Sequence, residues 1–530
     1  MVIRDGDEGE WTVDRVGKAK MRVTVLLKRA TGLRSRPFVA LSAVILLSAC
    51  SPTPAQPRAS SHRFELGLNV GTYSWWSGER PFNNLLLGSG WQDPANGWNE
   101  VPASNVGPDG YPLSIGPQGL NRMIGLTASE VSGVPVAIRC TWSGPATVWV
   151  GGEKRDLARG ANFLEYIRTT TTPGKVENVW LSVGAGTGGA AVRDLDCREK
   201  EGAATGVFAP EFLDSLKGYG VIRFLDWSAA NANPASVTWA NRTRPTSFGM
   251  VGSDGVPLEH MIALAAQVGA DPWFNVPWNA DDDYVRRMAQ LVHDTLPVNR
   301  RVYVELSNEV WNPQFGAAKQ AETEGRAEGL SSNAFEGQLR RYAEKTSATM
   351  KIWAQVFADR PGQLVRVAAT QHANDWTAET VLGWQDTAAN VDALATAPYF
   401  GHSFFDTQSS TDLNVLMPAL ATLAQTALTV EGARNQAVAK KYGKRYIAYE
   451  AGQHLLSTTS VDLVAAMNRD PRMYDIYKSY LTGWKSQMND VIVLFNATGP
   501  ISKYGAWGLR EYAGQPLSQT PKRKAALENL

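Results

Sequence analysis

Two carboxylates define the chemistry this sequence could do. Glu309 closes the stretch RVYVELSNEVWN (301–312), where strand-like alternation runs into an Asn-Glu pair and then Trp311. Glu450 sits in the same way near the end of the apolar run RYIAYEAGQH (445–454). Val302, Val304 and Leu306 read as the apolar face of a strand that carries Asn308 and Glu309 at its end. A carboxylate in that place is costly unless it is paired or used. Two carboxyls, one protonated and one ionised, are the minimum equipment for breaking a glycosidic bond: the first gives its proton to the leaving oxygen, the second attacks the anomeric carbon. Their surroundings must therefore differ. Arg223 and Tyr399 are the expected neighbours of Glu450 and would keep it ionised, whereas Asn308 and Trp311 flank Glu309 and could hold its pKa up.

Such groups need a frame that brings distant segments to one rim. Seven apolar runs, VIRFLDW (221–227), DPWFNVPW (271–278), RVYVELSNE (301–309), LVRVAATQH (364–372), VDALATAPYF (391–400), RYIAYEAGQH (445–454) and DVIVLFNAT (490–498), alternate with helical segments. The clearest helix is DDDYVRRMAQLVHDTLP. Tyr284, Val285, Met288, Leu291, Val292 and Leu296 form one face, Asp281–Asp283 favour its N-terminus and Pro297 stops it. With FELGLNVG (64–71) as the first strand, the pattern predicts an α/β fold, a (β/α)8 barrel. The alternative is a doubly wound open sheet, which usually carries a phosphate-binding turn after its first strand. Between about 91 and 205 the text changes to short β-rich runs without helical period, which predicts a β-sandwich-like module inserted after the first barrel strand. The resulting division is 63–90 for the first strand and its loop, 91–205 for the module and 206–530 for the rest of the barrel. A literal G-x-G-x-x-G at Gly184–Gly189 opens no helix and reads as a turn rather than a nucleotide site.

Barrel sites are assembled at the C-terminal ends of the strands. Those ends supply Arg223 and Asp226, Trp278 and Asn279, Asn308 and Glu309, His372, Tyr399 with His402, Glu450 with His454, and Asn496. The three histidines raise a metal site as a rival, but none belongs to an H-E-x-x-H run, and no metal or other cofactor is expected. No G-x-S-x-G elbow accompanies them, which counts against an esterase.

The placement of SNE on the fourth strand and YEAG on the seventh resembles clan A of the retaining glycoside hydrolases, over about 64–72 and 206–515. The resemblance implies Glu309 as acid/base, Glu450 as nucleophile and Asn308 on the sugar 2-hydroxyl. It likens Arg223 to the clan's second-strand Arg and Tyr399 to its sixth-strand Tyr beside the nucleophile. Asn496 stands where many members place a Trp, and Trp507 could fill in from the following loop. YVELSNEVWN is closer in feel to the xylosidase, arabinofuranosidase and exopolysaccharide-hydrolase branches than to typical endo-cellulases. Trp278, Asn279, Trp311, His372, His402, His454 and Trp507 complete the expected sugar-binding set, and a groove lined by Trp76, Trp227, Trp278 or Trp311 would favour internal cleavage of a polymer. The non-enzymatic alternative is a lipid-anchored polysaccharide-binding protein with an inactive barrel, which would share the 18 Trp but have no reason to keep the carboxylate pair.

From Met21, five basic residues and no acid precede a twelve-residue apolar run, Phe38–Ala49, ending at Cys50. The run is too short to span a bilayer as a helix. The ending LSAC resembles the lipobox of bacterial lipoproteins, which implies a signal peptide over 1–49, with Met21 as the expected true start, a lipidated and palmitate-bearing Cys50, and a Pro/Ser-rich tether over 50–62. Ser51 resembles lipoproteins sent on to the outer membrane. Of three Cys this leaves Cys140 and Cys197 as a pair in an oxidising compartment. Nine basic and five acidic residues precede Cys50, so the remainder carries a net charge near −3. Nucleic acid is not expected as a partner. The expected partners are a polysaccharide substrate and a membrane reached through lipid, with the protein itself a monomer.

Overall fold

The computed structural model describes residues 63–169, 172–173, 178–185, 192–201, 206–250 and 255–530. The expected signal segment, Cys50 and the expected tether lie outside them, as do residues 186–189 of the GAGTGG run. Eight strands close into a barrel: Glu65–Asn69, Val221–Arg223, Asp271–Val276, Val302–Leu306, Leu364–Ala369, Ala393–Thr396, Arg445–Ala448 and Val491–Leu494, counted here as strands one to eight. All neighbours are parallel, and strand eight closes the ring on strand one through Gly67↔Val493 and Leu68↔Leu494. Closure decides for the (β/α)8 barrel over the open sheet.

Strand parity sorts the side chains. Leu66, Leu68, Ile222, Phe274, Val302, Val304, Leu306 and Leu394 pack outward against the helices, while Val221, Trp273, Tyr303, Val367, Ala395, Ile447 and Val493 fill the lumen. Gly67 lets strand one into this lumen. A Cβ there would lie 2.9 Å from a Val493 methyl and 3.0 Å from the Val221 Cβ. The N-terminal end is tied by ion pairs, Arg301 to Glu65 at 2.7 Å and to Asp271 at 3.0 Å, and Arg445 to Asp490 at 2.6 Å. The expected amphipathic helix spans Asp282–Thr295. Asp281 caps it by accepting from the Tyr284 N–H at 2.6 Å, and Tyr284, Val285, Met288 and Val292 are buried.

Between strands one and two the chain forms two antiparallel sheets. The first runs in the order Arg193–Glu199, Ala137–Ser143, Phe163–Arg168, Lys154–Arg159; the second Asn99–Glu100, Trp91–Asp93, Leu120–Met123, Val179–Val183, Val148–Gly152. Strict alternation in AIRCTWS turns Ile138, Cys140 and Trp142 into a shared core with Val150, Leu164, Tyr166, Leu181 and Leu195. Cys140 and Cys197 are register partners on adjacent strands and form a disulfide. One short helix, Ala128–Val131, departs from the all-β expectation. Thr127 and Glu130 build a capping box, and Glu130 pairs with the buried Arg168 at 3.0 Å. After the strand Val179–Val183, the next described element is the strand Arg193–Glu199.

Candidate active site

The barrel brings the polar residues of several strand ends around Arg223. On strand four, Tyr303 and Glu305 have lumen parity while Val302, Val304 and Leu306 face the helices. Arg223, wholly buried at the end of strand two, donates from Nε and Nη2 to both Glu305 oxygens at 2.9–3.0 Å. Its Nη2 also donates to Asn308 Oδ1 at 2.9 Å, and its Nη1 to Asn69 Oδ1 at 3.1 Å and Glu450 Oε1 at 2.7 Å. The Trp273 indole N–H completes the shell of Glu305 at 2.8 Å. A planar five-donor fork is the one cation that can hold so many acceptors in fixed directions.

Glu450, 6% exposed, accepts from Arg223 on one oxygen and from the Tyr399 hydroxyl at 3.0 Å on the other. Glu309, 9% exposed, is held by neutral donors only, the Tyr449 hydroxyl at 3.0 Å and the Asn312 amide at 2.9 Å. Burial first and the charge of Glu450 second push its carboxyl up to about 7. The strand ends through left-handed backbone at Ser307 (φ 57°) and Glu309 (φ 42°), a conformation that costs non-glycine residues energy and persists where the surroundings fix it. The contacts of Asn308 and Glu309 supply that fixation. Trp311 is half-buried and donates to Tyr449 Oη at 3.3 Å, which locks the phenol aimed at Glu309. A third carboxyl, Asp226, is raised to about 6 by burial and by the charge of Glu450, and it accepts from the side chain and backbone of Thr72.

Beside Glu450, Tyr399 contacts the ring of His454 at 5.2 Å, and His454 in turn contacts His402 at 5.2 Å and Trp507 at 5.3 Å. His454 Nδ1, Trp507 Nε1 and Asn496 Oδ1 are buried and meet no protein hydrogen-bond partner.

Three expected sugar contacts are engaged with the protein instead, two through outward parity and one through its own hydrogen bonds. Trp278 continues the outward parity of Val276: it is fully buried, donates to Glu324 at 3.3 Å and carries the Lys345 ammonium 4.4 Å above its ring, so it packs on the helices Gly316–Ala327 and Ala334–Val356. Asn279 spends its amide on Pro234 O and on a reciprocal pair with Gln320 at 2.7–3.0 Å. His372 lies behind strand six, between Thr396 Oγ1 at 2.9 Å and Ala427 O at 2.8 Å; burial pushes it down to about 4, and both ring nitrogens are engaged. It is a neutral core histidine. Trp227 is likewise buried, stacked on Phe82 and bonded to Gly71 O. Arg223 has no exposed surface, and its guanidinium is spent on Glu305, Asn308, Asn69 and Glu450. Asn308 keeps one amide hydrogen beyond its bond to Asn231 at 3.2 Å.

Sequence reasoning missed Glu305, Tyr449, Asn312 and Asn69. The signals were present: Glu305 shares lumen parity with Tyr303, Tyr449 immediately precedes Glu450, and Asn69 is the polar end of an apolar first strand. In the module, Asp194 accepts from Ser143 at 2.6 Å and Asp196 pairs with Arg198, so both are spent locally.

No protein-family model matches the chain, and no curated protein matches it. Among solved structures it is similar to a GH51 arabinofuranosidase from Xanthomonas axonopodis pv. citri (10% identity, TM-score 0.35, 56% of this chain and 61% of that one). It is also similar to a 4-O-α-L-rhamnosyl-β-D-glucuronidase from Fusarium oxysporum 12S (13%, TM-score 0.35, 59% and 63%). A third similarity is to a GH5 xyloglucan-specific endo-β-1,4-glucanase from a metagenomic library (13%, TM-score 0.36, 61% and 88%). The chain spans about three fifths of the length of the first two.

Proposed function

We propose that this protein is a retaining glycoside hydrolase acting within the chains of an exopolysaccharide or cell-surface glycan. The observation that carries the reading is the contrast between the two carboxyls. Glu450 is gripped by a guanidinium and a phenol that orient it for attack, while Glu309, buried among neutral donors, keeps its proton up to about pH 7. In the first step Glu450 bonds to the anomeric carbon as the glycosidic bond breaks and the Glu309 proton passes to the leaving oxygen. In the second, Glu309 takes a proton from water, whose oxygen displaces Glu450 from the same face the leaving group occupied. Asn308 holds the sugar 2-hydroxyl, and His454, His402 and Trp507 line the same ring.

The test is proton NMR of a 4-nitrophenyl glycoside during turnover. The product should appear first with the anomeric configuration of the substrate, and Glu450→Gly should lose turnover and regain part of it with azide. Inversion, or unchanged turnover in Glu450→Gly, sinks the assignment. The protein is further proposed to be exported and lipid-anchored at Cys50, with its polysaccharide met at the outer membrane; the Cys140–Cys197 disulfide supports an oxidising compartment.

A further inference from the structure

The module between strands one and two leaves a cavity of about 710 Å3 against the barrel, and the catalytic steps make no use of it. One wall is the loop after strand one, with Thr72 and Trp76; another is the segment carrying Asn241 and Ser247; the third is the module, with Glu100 and Val101 at the edge of its second sheet. The volume lies in the range that encloses a small organic ligand. Thr72 joins the cavity to the reacting centre, because the same residue lines it and donates to Asp226, whose carboxyl lies in the field of Glu450.

We propose that this cleft binds the part of a neutral polysaccharide chain that extends beyond the sugar attacked by Glu450. The inference rests on the glycosidase reading and adds to it a binding wall and a substrate class. Trp76 is 55% exposed at the cleft and offers an aromatic face, which suits the C–H face of a pyranose, while Asn241, Ser247 and Glu100 provide acceptors and donors for its hydroxyls. The charge argues for a neutral chain. Among the described lining residues the cations are Arg122 and Arg242. Arg242 is paired with Glu259 at 2.7 Å and lies over the Trp239 ring at 4.1 Å. Arg122 donates to Leu86 O and Phe248 O and lies over the Phe248 ring at 4.1 Å. Glu259 balances Arg242, and the carboxylate of Glu100 offsets the charge that Arg122 keeps while bonded to carbonyls, so the lining carries no excess of cations to draw in a polyanion.

The experiment is affinity electrophoresis of the full chain in detergent, as its Glu450→Gln form, through gels containing xyloglucan, galactomannan or xylan, and through gels containing polygalacturonate or alginate. At least one neutral polymer should retard the protein and the anionic ones should not. Trp76→Ala in the same background should weaken retardation at least about tenfold in apparent Kd, and Asn241→Ala about threefold or more, the range of a lost stacking face or hydrogen bond. Trp149→Ala changes a Trp that is 39% exposed on Val148–Gly152, the edge strand of the second sheet opposite Asn99–Glu100, and should change nothing. No retardation by any neutral gel, preference for the anionic gels, or equal retardation of the Trp76→Ala form overturns the proposal. Turnover of 4-nitrophenyl glycosides by the unmodified protein reports separately on the glycosidase reading. Retardation that depends on Trp76 without such turnover would sustain the cleft as a glycan site and sink the catalytic assignment.

Discussion

Glu309 is the residue where stability and function pull in opposite directions. Its carboxyl is raised from 4.5 to about 7, so the folded protein binds this proton more tightly than the unfolded chain. The associated penalty is absent below about pH 4.5, grows as pH rises toward 7 and is complete above that. Glu309→Gln should therefore raise stability at pH 8 by on the order of 1–3 kcal/mol and leave it unchanged near pH 4, as read by urea denaturation at the two pH values. On the proposed assignment the same proton sets the basic limb of activity. For substrates with poor leaving groups, kcat/KM should fall about tenfold per pH unit above roughly pH 7, and the limb should vanish in Glu309→Gln with an activated aryl leaving group. Arg223 gives the second residue-scale prediction. A lysine cannot reproduce its fork to Glu305, Asn308, Asn69 and Glu450, so Arg223→Lys should lower kcat about 100-fold or more while circular dichroism stays unchanged. Retained kcat would mean that Glu450 needs no such clamp.

At the scale of elements, the eight strands were legible because each is a short apolar run bounded by turn signals, and counting them alongside the helices specifies the barrel. The sides of those strands were harder to read. Both faces of a barrel strand are apolar, so periodicity alone does not say which residue meets the lumen, and Trp278 and His372 were read as mouth residues although Val276 and Thr396 place their surroundings outside. Glu305 escaped for the converse reason: it sits inside a run whose apolar alternation drew attention to Val302, Val304 and Leu306. Lumen packing provides a test of the parity now assigned. At Gly67 the added Cβ of alanine would press on Val493 and on the Val221 backbone oxygen at 3.0 Å, on the two strands that flank strand one. Gly67→Ala should cost about 1–3 kcal/mol in chemical denaturation, with activity falling in step as the seam between strands one and eight shifts. An unchanged midpoint would place Gly67 outside the packed lumen.

The molecule as a whole joins a locally specified barrel to a module whose strands are less regular, and the sequence showed them unequally. AIRCTWS announces itself by alternation, whereas KRDLAR (154–159) is exposed along nearly its whole length and is a strand only because it pairs with Phe163–Arg168. Its order is set by pairing and so was not readable from its own residues. The Cys140–Cys197 bond matters for the same reason, since it fixes two strands of the first sheet across 57 residues of sequence. Closing a loop of that length removes about 4 kcal/mol of chain entropy from the unfolded state on the loop-entropy account. Replacing both cysteines by alanine should lower the unfolding free energy by about 2–4 kcal/mol. Reductant should lower the unfolding free energy of the parent by a similar amount and leave the double alanine variant unchanged. If the export reading holds, the bond also reports on location. In a bacterial host the full chain should fractionate with membranes and carry an oxidised Cys140–Cys197 pair. Cys50→Ser should be released from membranes or accumulate unprocessed, and a form lacking residues 1–49 should stay in the cytoplasm with both thiols reduced. Membrane association of Cys50→Ser equal to that of the parent would overturn the lipid anchor, and reduced thiols in the membrane-bound parent would overturn the oxidising compartment; the two halves of the reading can therefore fail separately.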